Sequence, residues 1–281
     1  MLSLLTNSRV PGPHFHVVAP SLPNFGFSQG SSGKQGFGVK QYAEVCHKLM
    51  KTLGYNSYVT QGGDWGFTVS RAIGWLYPES CMASHINMLP IGPPNVLKNP
   101  WTYFKSLFWG LSDKEKDRVQ RQQDFLKSGT GYLLLQSSKP RTLAYGLADS
   151  PAFLLAWIWE KLHGWSDNYP WTDDEILTWV CIYWFSTAGP AASSRIYFEF
   201  ATAHDPDLPQ TFTNAWTPHV KYGITHMPKE IVDAPGLWAS VIGDVVYESE
   251  AEFGGHFAAW ENPEFIAQDL KKMFRQVKFE A

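Results

Sequence analysis

The feature that most constrains this chain is Gly62-Gly63-Asp64-Trp65-Gly66, a cluster of glycines around one carboxylate. Tyr55–Gln61 (YNSYVTQ) before it reads as a strand. Phe67–Tyr77 after it reads as a helix, stopped at Pro78. A strand that turns at once into a helix brings two backbones almost into contact. Small residues two positions to either side of the turn make that possible. The frame is Gly-x-nucleophile-x-Gly, with Asp64 where the nucleophile stands. Amides at the start of the helix then point at the carboxylate, which favours its ionised form and can hold a developing oxyanion. An isolated Asp before a helix is more often a simple cap. The flanking glycines and the apolar strand before them favour the nucleophile.

The surrounding pattern alternates. His14–Pro20 (HFHVVAP) is a β-branched run that reads as a strand, followed by a Gly/Ser/Asn-rich turn region, Ser21–Gly36. Val39–Leu53 carries apolar residues at helical spacing and stops at Gly54, and Cys81–Leu89 reads as a further strand. Strands alternating with helices predict a parallel sheet wound with helices, an α/β fold. From Pro90 to about Val220 the reading changes to helices and loops, with helices expected at Asp113–Leu126, Ala152–His163 and Asp173–Ser186. This predicts an inserted helical cap. The first pattern then returns, with a strand-like run at Leu237–Gly243 and an amphipathic terminal helix at Pro263–Val277. The expected division is 1–92 for the first part of the core, 93–220 for the cap and 221–281 for the second part.

An aspartate nucleophile narrows the chemistry. Serine attacking an alkyl carbon leaves an ether, which water does not readily cleave. A carboxylate leaves an ester, which a water activated by histidine can hydrolyse. The substrates expected are therefore those attacked at sp³ carbon, such as epoxides and haloalkanes. Gly254-Gly255-His256-Phe257 supplies a histidine last in chain order, on a loop whose paired glycines can bring it over the turn. The third member is a carboxylate between them. Glu230, Asp233, Asp244, Glu248 and Glu250 are candidates among which periodicity does not choose.

Composition excludes several classes. The formal net charge is −3 with no basic block, which does not suit a phosphate backbone. The longest apolar run, Ala152–Trp159, is too short to span a bilayer, and Met1–Thr6 lacks the features of a secretory signal. A soluble, cytoplasmic protein is expected. The three cysteines, Cys46, Cys81 and Cys181, form neither a disulfide framework nor a metal-ligand pattern and read as small buried hydrophobes. No metal or organic cofactor is implied. Aromatic residues make up 15% of the chain, which favours an apolar pocket.

Together, Gln61-Gly62-Gly63-Asp64-Trp65-Gly66 and Gly254-Gly255-His256-Phe257-Ala258-Ala259-Trp260-Glu261-Asn262-Pro263 resemble the epoxide hydrolases of the α/β-hydrolase superfamily, especially the microsomal and fungal branch. The stretches from Val17 to Ser28 (VVAPSLPNFGFS) and from Ser150 to Ile158 (SPAFLLAWI) are similar to that family as well. The resemblance implies a mostly parallel sheet flanked by helices, with an inserted helical cap. It selects Glu230, in Met227-Pro228-Lys229-Glu230, as the acid that orients His256, with Asp233 and Asp244 as fallbacks. It also implies two cap tyrosines, Tyr132 and Tyr197, that donate hydrogen bonds to the epoxide oxygen, and an oxyanion contact from the Trp65 amide. The expected partners are a small apolar epoxide and water.

The chain departs from the family pattern at one point. A His-Gly-x-Pro motif, which supplies a second oxyanion amide in that family, is not found, and Pro11–His14 is not it. The resemblance therefore implies an N-terminally incomplete fold. Strand edges would then be left open, or the remaining strands would pair directly. Two alternatives accompany the epoxide reading. One is an inactive or weakly active relic acting as a binding protein. The other is a haloalkane dehalogenase, which also uses Asp-Trp at this turn.

Overall fold

A computed structural model describes residues 1–31 and 35–276. In chain order the elements are α1 (Leu2–Thr6), α2 (Val39–Thr52), β1 (Tyr58–Gly62), α3 (Trp65–Leu76), β2 (Cys81–Ile86), α4 (Pro100–Trp109), α5 (Asp113–Ser128), α6 (Gly131–Ser138), α7 (Pro140–Asp149), α8 (Pro151–Gly164), α9 (Asp173–Trp184), α10 (Arg195–Thr202), β3 (Lys221–His226), α11 (Gly236–Ala239), β4 (Asp244–Glu250), α12 (Ala258–Glu261) and α13 (Pro263–Gln276). The four strands form one sheet in the order β1-β2-β3-β4, and every neighbouring pair is parallel. Parallel strands need crossover connections, so helices must cover both faces. Tyr222 and Ile224 of β3 belong to the core shared with α2 and α3. Thr225 points to the other face, where its hydroxyl donates to Asp269 of α13 at 2.6 Å. The period of two along a strand thus separates two apolar layers.

Helix α3, which carries the turn at Asp64, is anchored by the fully buried Arg71. Its guanidinium donates to the carbonyls of Ile242 (3.1 Å), Phe212 (3.0 Å) and Ala215 (2.5 Å), and to the Tyr222 hydroxyl. Helices α4–α10 intervene between β2 and β3. They build a separate core around Leu143, Leu147, Leu154, Ile158 and Leu162, with Trp171, Ile176 and Val180 joining from the α9 side.

Three sequence expectations require correction. His14–Pro20 is not a strand: it is extended, but pairs with no strand among the described residues. A strand is defined by its partner, and this segment faces β1 across a groove of about 520 Å³ lined by Phe15, Val17, Val59 and Phe274. Among the described residues β1 is an edge of the sheet. Leu237–Gly243 is also not a strand. Pro235 and Gly236 open the helical turn α11, with the Trp238 amide on the Pro235 carbonyl at 2.9 Å, and the strand is Asp244–Glu250. A short apolar run does not by itself distinguish a buried helix from a strand. Among the cysteines, Cys81 is buried, Cys46 is partly so and Cys181 is exposed. The terminal helix runs to Gln276, and Val277 lies outside the described residues.

A buried charge network joins the intervening helices to the sheet. Arg118 of α5 lies 3.6 Å from Asp233 and 3.0 Å from Glu250, while Lys114 lies 2.9 Å from Glu250. His226, at the end of β3, places Nδ1 at 2.7 Å from Asp233 and Nε2 at 3.1 Å from Glu248. Burial opposes a charge on His226, but Asp233 and Glu248 outweigh it and raise its pKa from 6.5 to about 9. A folded-state pKa above the unfolded one stabilises fully below about pH 6.5, and that contribution is lost as pH rises through about 9. The melting temperature of the wild type should therefore fall by a few degrees between about pH 7 and about pH 10. His226→Gln should be less stable at neutral pH and show a flatter decline, as measured by thermal denaturation across that range.

Candidate active site

The turn between β1 and α3 is held by contact rather than by composition alone. A Cβ on Gly62 would lie 2.4 Å from the Gly66 carbonyl carbon, and one on Gly63 would lie 2.7 Å from Asn87 Nδ2. A Cβ on Gly66 would meet nothing within 4 Å, so the requirement at that position is for its backbone to be approached by Gly62. Asp64 sits at φ 50°, ψ −127°, a conformation that costs an ordinary residue of order 1–3 kcal/mol. The strain lifts its carboxylate out of the turn, with 36% of the side chain open to a cavity of about 490 Å³.

Each carboxylate oxygen has one partner. Asp64 Oδ1 accepts from the Trp65 amide at 2.5 Å, and Oδ2 lies 3.1 Å from His256 Nε2. His256 Nδ1 in turn lies 2.7 Å from Glu230 Oε1, which also accepts the Ile231 amide at 2.8 Å. Glu230 is 1% exposed. The result is an unbroken line, Asp64–His256–Glu230. Burial works to raise the Asp64 pKa, but the hydrogen bond and charge of His256, with the Trp65 amide, outweigh it and hold the carboxyl below its ordinary value. Burial works to lower the His256 pKa, but Glu230 and Asp64 raise it well above the ordinary imidazole value. Both shifts favour the carboxylate–imidazolium form of the pair.

The loops that carry Glu230 and His256 are tied to each other. Lys229 and Gly255 form a parallel bridge, and the Lys229 amide donates to the Gly254 carbonyl at 3.0 Å. The two glycines before His256 have distinct reasons. Gly254 is at φ 119°, and a Cβ on Gly255 would lie 2.5 Å from the Trp165 carbonyl oxygen. That same carbonyl accepts the His256 amide at 2.9 Å. Glu261 completes the arrangement: Oε2 accepts the amides of Asp167 (2.6 Å) and Gly255 (3.1 Å), and Oε1 accepts that of Phe257 (3.0 Å).

Of the other carboxylates considered, Asp233 and Glu248 engage His226, and Glu250 engages Arg118 and Lys114. Asp244 is exposed at the start of β4. Tyr132 of α6 and Tyr197 of α10 both line the cavity, with ring centroids 6.1 Å apart and edge to face. Tyr197 packs edge-on against Trp65 at 4.9 Å, and Tyr132 against Trp165 at 5.1 Å. Burial, then the Asp64 charge, raises the pKa of both phenols, so each keeps its proton at neutral pH.

Two residues at the site were not singled out from sequence. Glu261 lies within the stretch that carries the family resemblance, but no spacing rule marks it as the acceptor for three amides. Tyr183 lines the cavity four residues after Trp179, one turn further along the same face of α9. Burial and the Asp64 charge raise its pKa to about 12. The Trp179–Tyr183 spacing is the signal that could have found it.

A parallel sheet wound with helices carries Asp64 on a strained strand-to-helix turn and His256 on the loop after the last strand. The family description "alpha/beta hydrolase fold" matches residues 2–170, and the chain belongs to that family. It is 32% identical over 92% of its length to epoxide hydrolase 1 of Sus scrofa, and it spans 59% of that protein. The solved structure of the Aspergillus niger epoxide hydrolase matches 94% of the chain at 33% identity and a TM-score of 0.78, with 64% of that chain covered. The juvenile hormone epoxide hydrolase of the silkworm Bombyx mori matches 97% of the chain at 29% identity and a TM-score of 0.85, with 67% of that chain covered. The chain thus spans about three-fifths of the length of the curated relatives it matches. Among the described residues, no helix is long and apolar enough to cross a membrane.

The geometry generates two expectations. Glu230→Gln removes the foremost group raising the His256 pKa, so the imidazole should titrate at lower pH than in wild type, as read from its ring-proton NMR shifts. Glu261→Ala leaves three amide donors without their acceptor. It should destabilise the fold by about 1–3 kcal/mol in urea unfolding.

Proposed function

We propose that the protein is an epoxide hydrolase that works through a covalent ester on Asp64. The observation that carries this reading is the line Asp64–His256–Glu230 opening into a cavity lined by the protonated phenols of Tyr132, Tyr197 and Tyr183. Asp64 Oδ2 attacks an epoxide carbon, and the C–O bond to that carbon breaks. The released oxygen takes a proton from Tyr132 or Tyr197, and a hydroxyalkyl ester results. The charges balance when the imidazolium proton of His256 restores the phenol and leaves a neutral imidazole. Esterification also removes the Asp64 charge, one of the two influences that hold His256 protonated.

In the second step His256 Nε2 takes a proton from water, and the water oxygen attacks the ester carbonyl. The carbonyl oxygen is Asp64 Oδ1, and the negative charge it gains is met by the Trp65 amide. Collapse expels the vicinal diol, whose leaving oxygen takes the proton back from His256, and the carboxylic acid left on Asp64 passes its proton to His256, restoring carboxylate and imidazolium. Glu230 holds the imidazole orientation and stabilises its charged form. The aromatic walls of the cavity favour apolar epoxides.

The reading has a direct test. His256→Gln mixed with a reactive aryl epoxide should gain the mass of one epoxide, and adding Asp64→Ala should abolish the gain, by intact-protein mass spectrometry. Tyr132→Phe and Tyr197→Phe should each slow the first step by about 10²-fold in single-turnover measurements. Dehalogenation of haloalkanes without any epoxide adduct would replace this reading with that of a dehalogenase.

A further inference from the structure

We infer that Lys161 and Gln136 recognise a carboxylate carried by the substrate, an inference about substrate class that rests on the proposed epoxide reading. The cavity wall is otherwise mostly apolar, with Leu147, Leu154, Ile158 and Leu162 facing it. Gln136 and Lys161 are two of the polar side chains that the inserted helices bring to that wall. Gln136 lines the cavity at 3% exposure, and among the described residues its side-chain amide has no hydrogen-bond partner. Its polar atoms are open to the cavity, where water or a ligand can meet them.

Lys161 lines the same cavity, with 14% of its side chain exposed. Its Nζ stands 4.9 Å from the ring centroid of Tyr132, 5.3 Å from that of Trp157 and 5.5 Å from that of Trp165. Ring faces attract a cation but leave N–H groups available to acceptors. Its ion pair is with Glu160, whose side chain is 69% exposed. Lys161 Nζ donates directly to Glu160 Oε1. That carboxylate is open to water and screened, so an acceptor in the cavity can compete for the remaining N–H groups of the ammonium.

Both groups are neighbours of Tyr132. Tyr132 and Gln136 are four residues apart on α6, hence on one face of it. Lys161 stands over the ring of that same Tyr132. The cation is thus about the breadth of an aromatic ring from the phenol that would hold the epoxide oxygen. A carboxylate is the anion that fits. It is planar and compact, and its two oxygens can accept from the ammonium and the amide together. A dianion such as a phosphate would add repulsion from Asp64 and Glu230. The class is therefore an aryl or short alkyl epoxide with a carboxylate beyond the ring-opening carbon.

The test separates this inference from the reading beneath it. Binding of the unreactive 4-ethylbenzoate and 4-ethylbenzamide is measured by quenching of tryptophan fluorescence, since Trp157 and Trp165 flank Lys161. Wild type should bind the benzoate roughly tenfold more tightly than the benzamide. Lys161→Met should bring that ratio close to one, and Lys161→Arg should keep it above one, which distinguishes lost charge from lost fold. Gln136→Leu should reduce the ratio in part. A wild-type ratio near one, or a ratio unchanged in Lys161→Met, overturns the inference. The para-carboxylate and para-carboxamide of styrene oxide then give the corresponding ratio of kcat/KM. If the benzoate preference holds and neither epoxide is hydrolysed, the anion site stands and the epoxide reading falls.

Discussion

Everything at the site depends on how closely the backbone at Gly62 approaches that at Gly66. That contact leaves no room for a Cβ at Gly62 and forces Asp64 to a positive φ. The strain is offset by interactions on all sides: Arg71 anchors α3 from behind, Asn87 closes the flank at Gly63, and His256 and the Trp65 amide meet the carboxylate in front. A looser turn would lower the strain and withdraw the carboxylate from the cavity. The local instability and the reactivity share one cause.

Two histidines at the carboxyl ends of the sheet have their charged forms favoured by acidic neighbours, yet their surroundings give them different work. His226 is closed in by Asp233, Glu248 and the nearby Arg118, and it borders no open space at the cavity. Its network ties α5 to the sheet. His256 has one carboxylate behind it and another in front, and the one in front opens to the cavity. The same pairing serves as a fixed clasp in one place. In the other, it stands at the edge of open space, with the front carboxylate exposed to the cavity.

Much of this was legible in the sequence. The turn at Asp64 could be read because sterics leave few choices there. Helices α2, α3, α5, α8 and α9 were expected to within a few residues, α2 from its apolar spacing. Choosing Glu230 among five carboxylates needed the family resemblance, since all five are acidic residues near strand ends. What separates them is which imidazole or guanidinium reaches them, and that is a matter of tertiary contact. His14–Pro20 and Leu237–Gly243 were misread for a related reason. Both have strand-like composition, but one lacks a partner and the other is short enough to coil. The grip of Glu261 on three amides left no trace in spacing, because its acceptors are used by backbone, and backbone is the same in every residue.

The place of the insertion also governs how the chain reaches its final form. The pairing of β1 with β2 spans one helix, whereas that of β2 with β3 must wait until residues 87–220 have been drawn into a loop. The entropy of closing a loop grows only slowly with its length, but non-local pairing is slow because that entropy is lost before contacts repay it. The intervening helices carry their own core around Leu147, Leu154 and Leu162. Collapse of that core on itself shortens the effective loop. The order of assembly that follows is local: β1–α3–β2 and the helical insertion form early, and the sheet is completed last. His256 and Glu230 lie beyond the insertion and Asp64 before it, so the line joining them is among the last things to form.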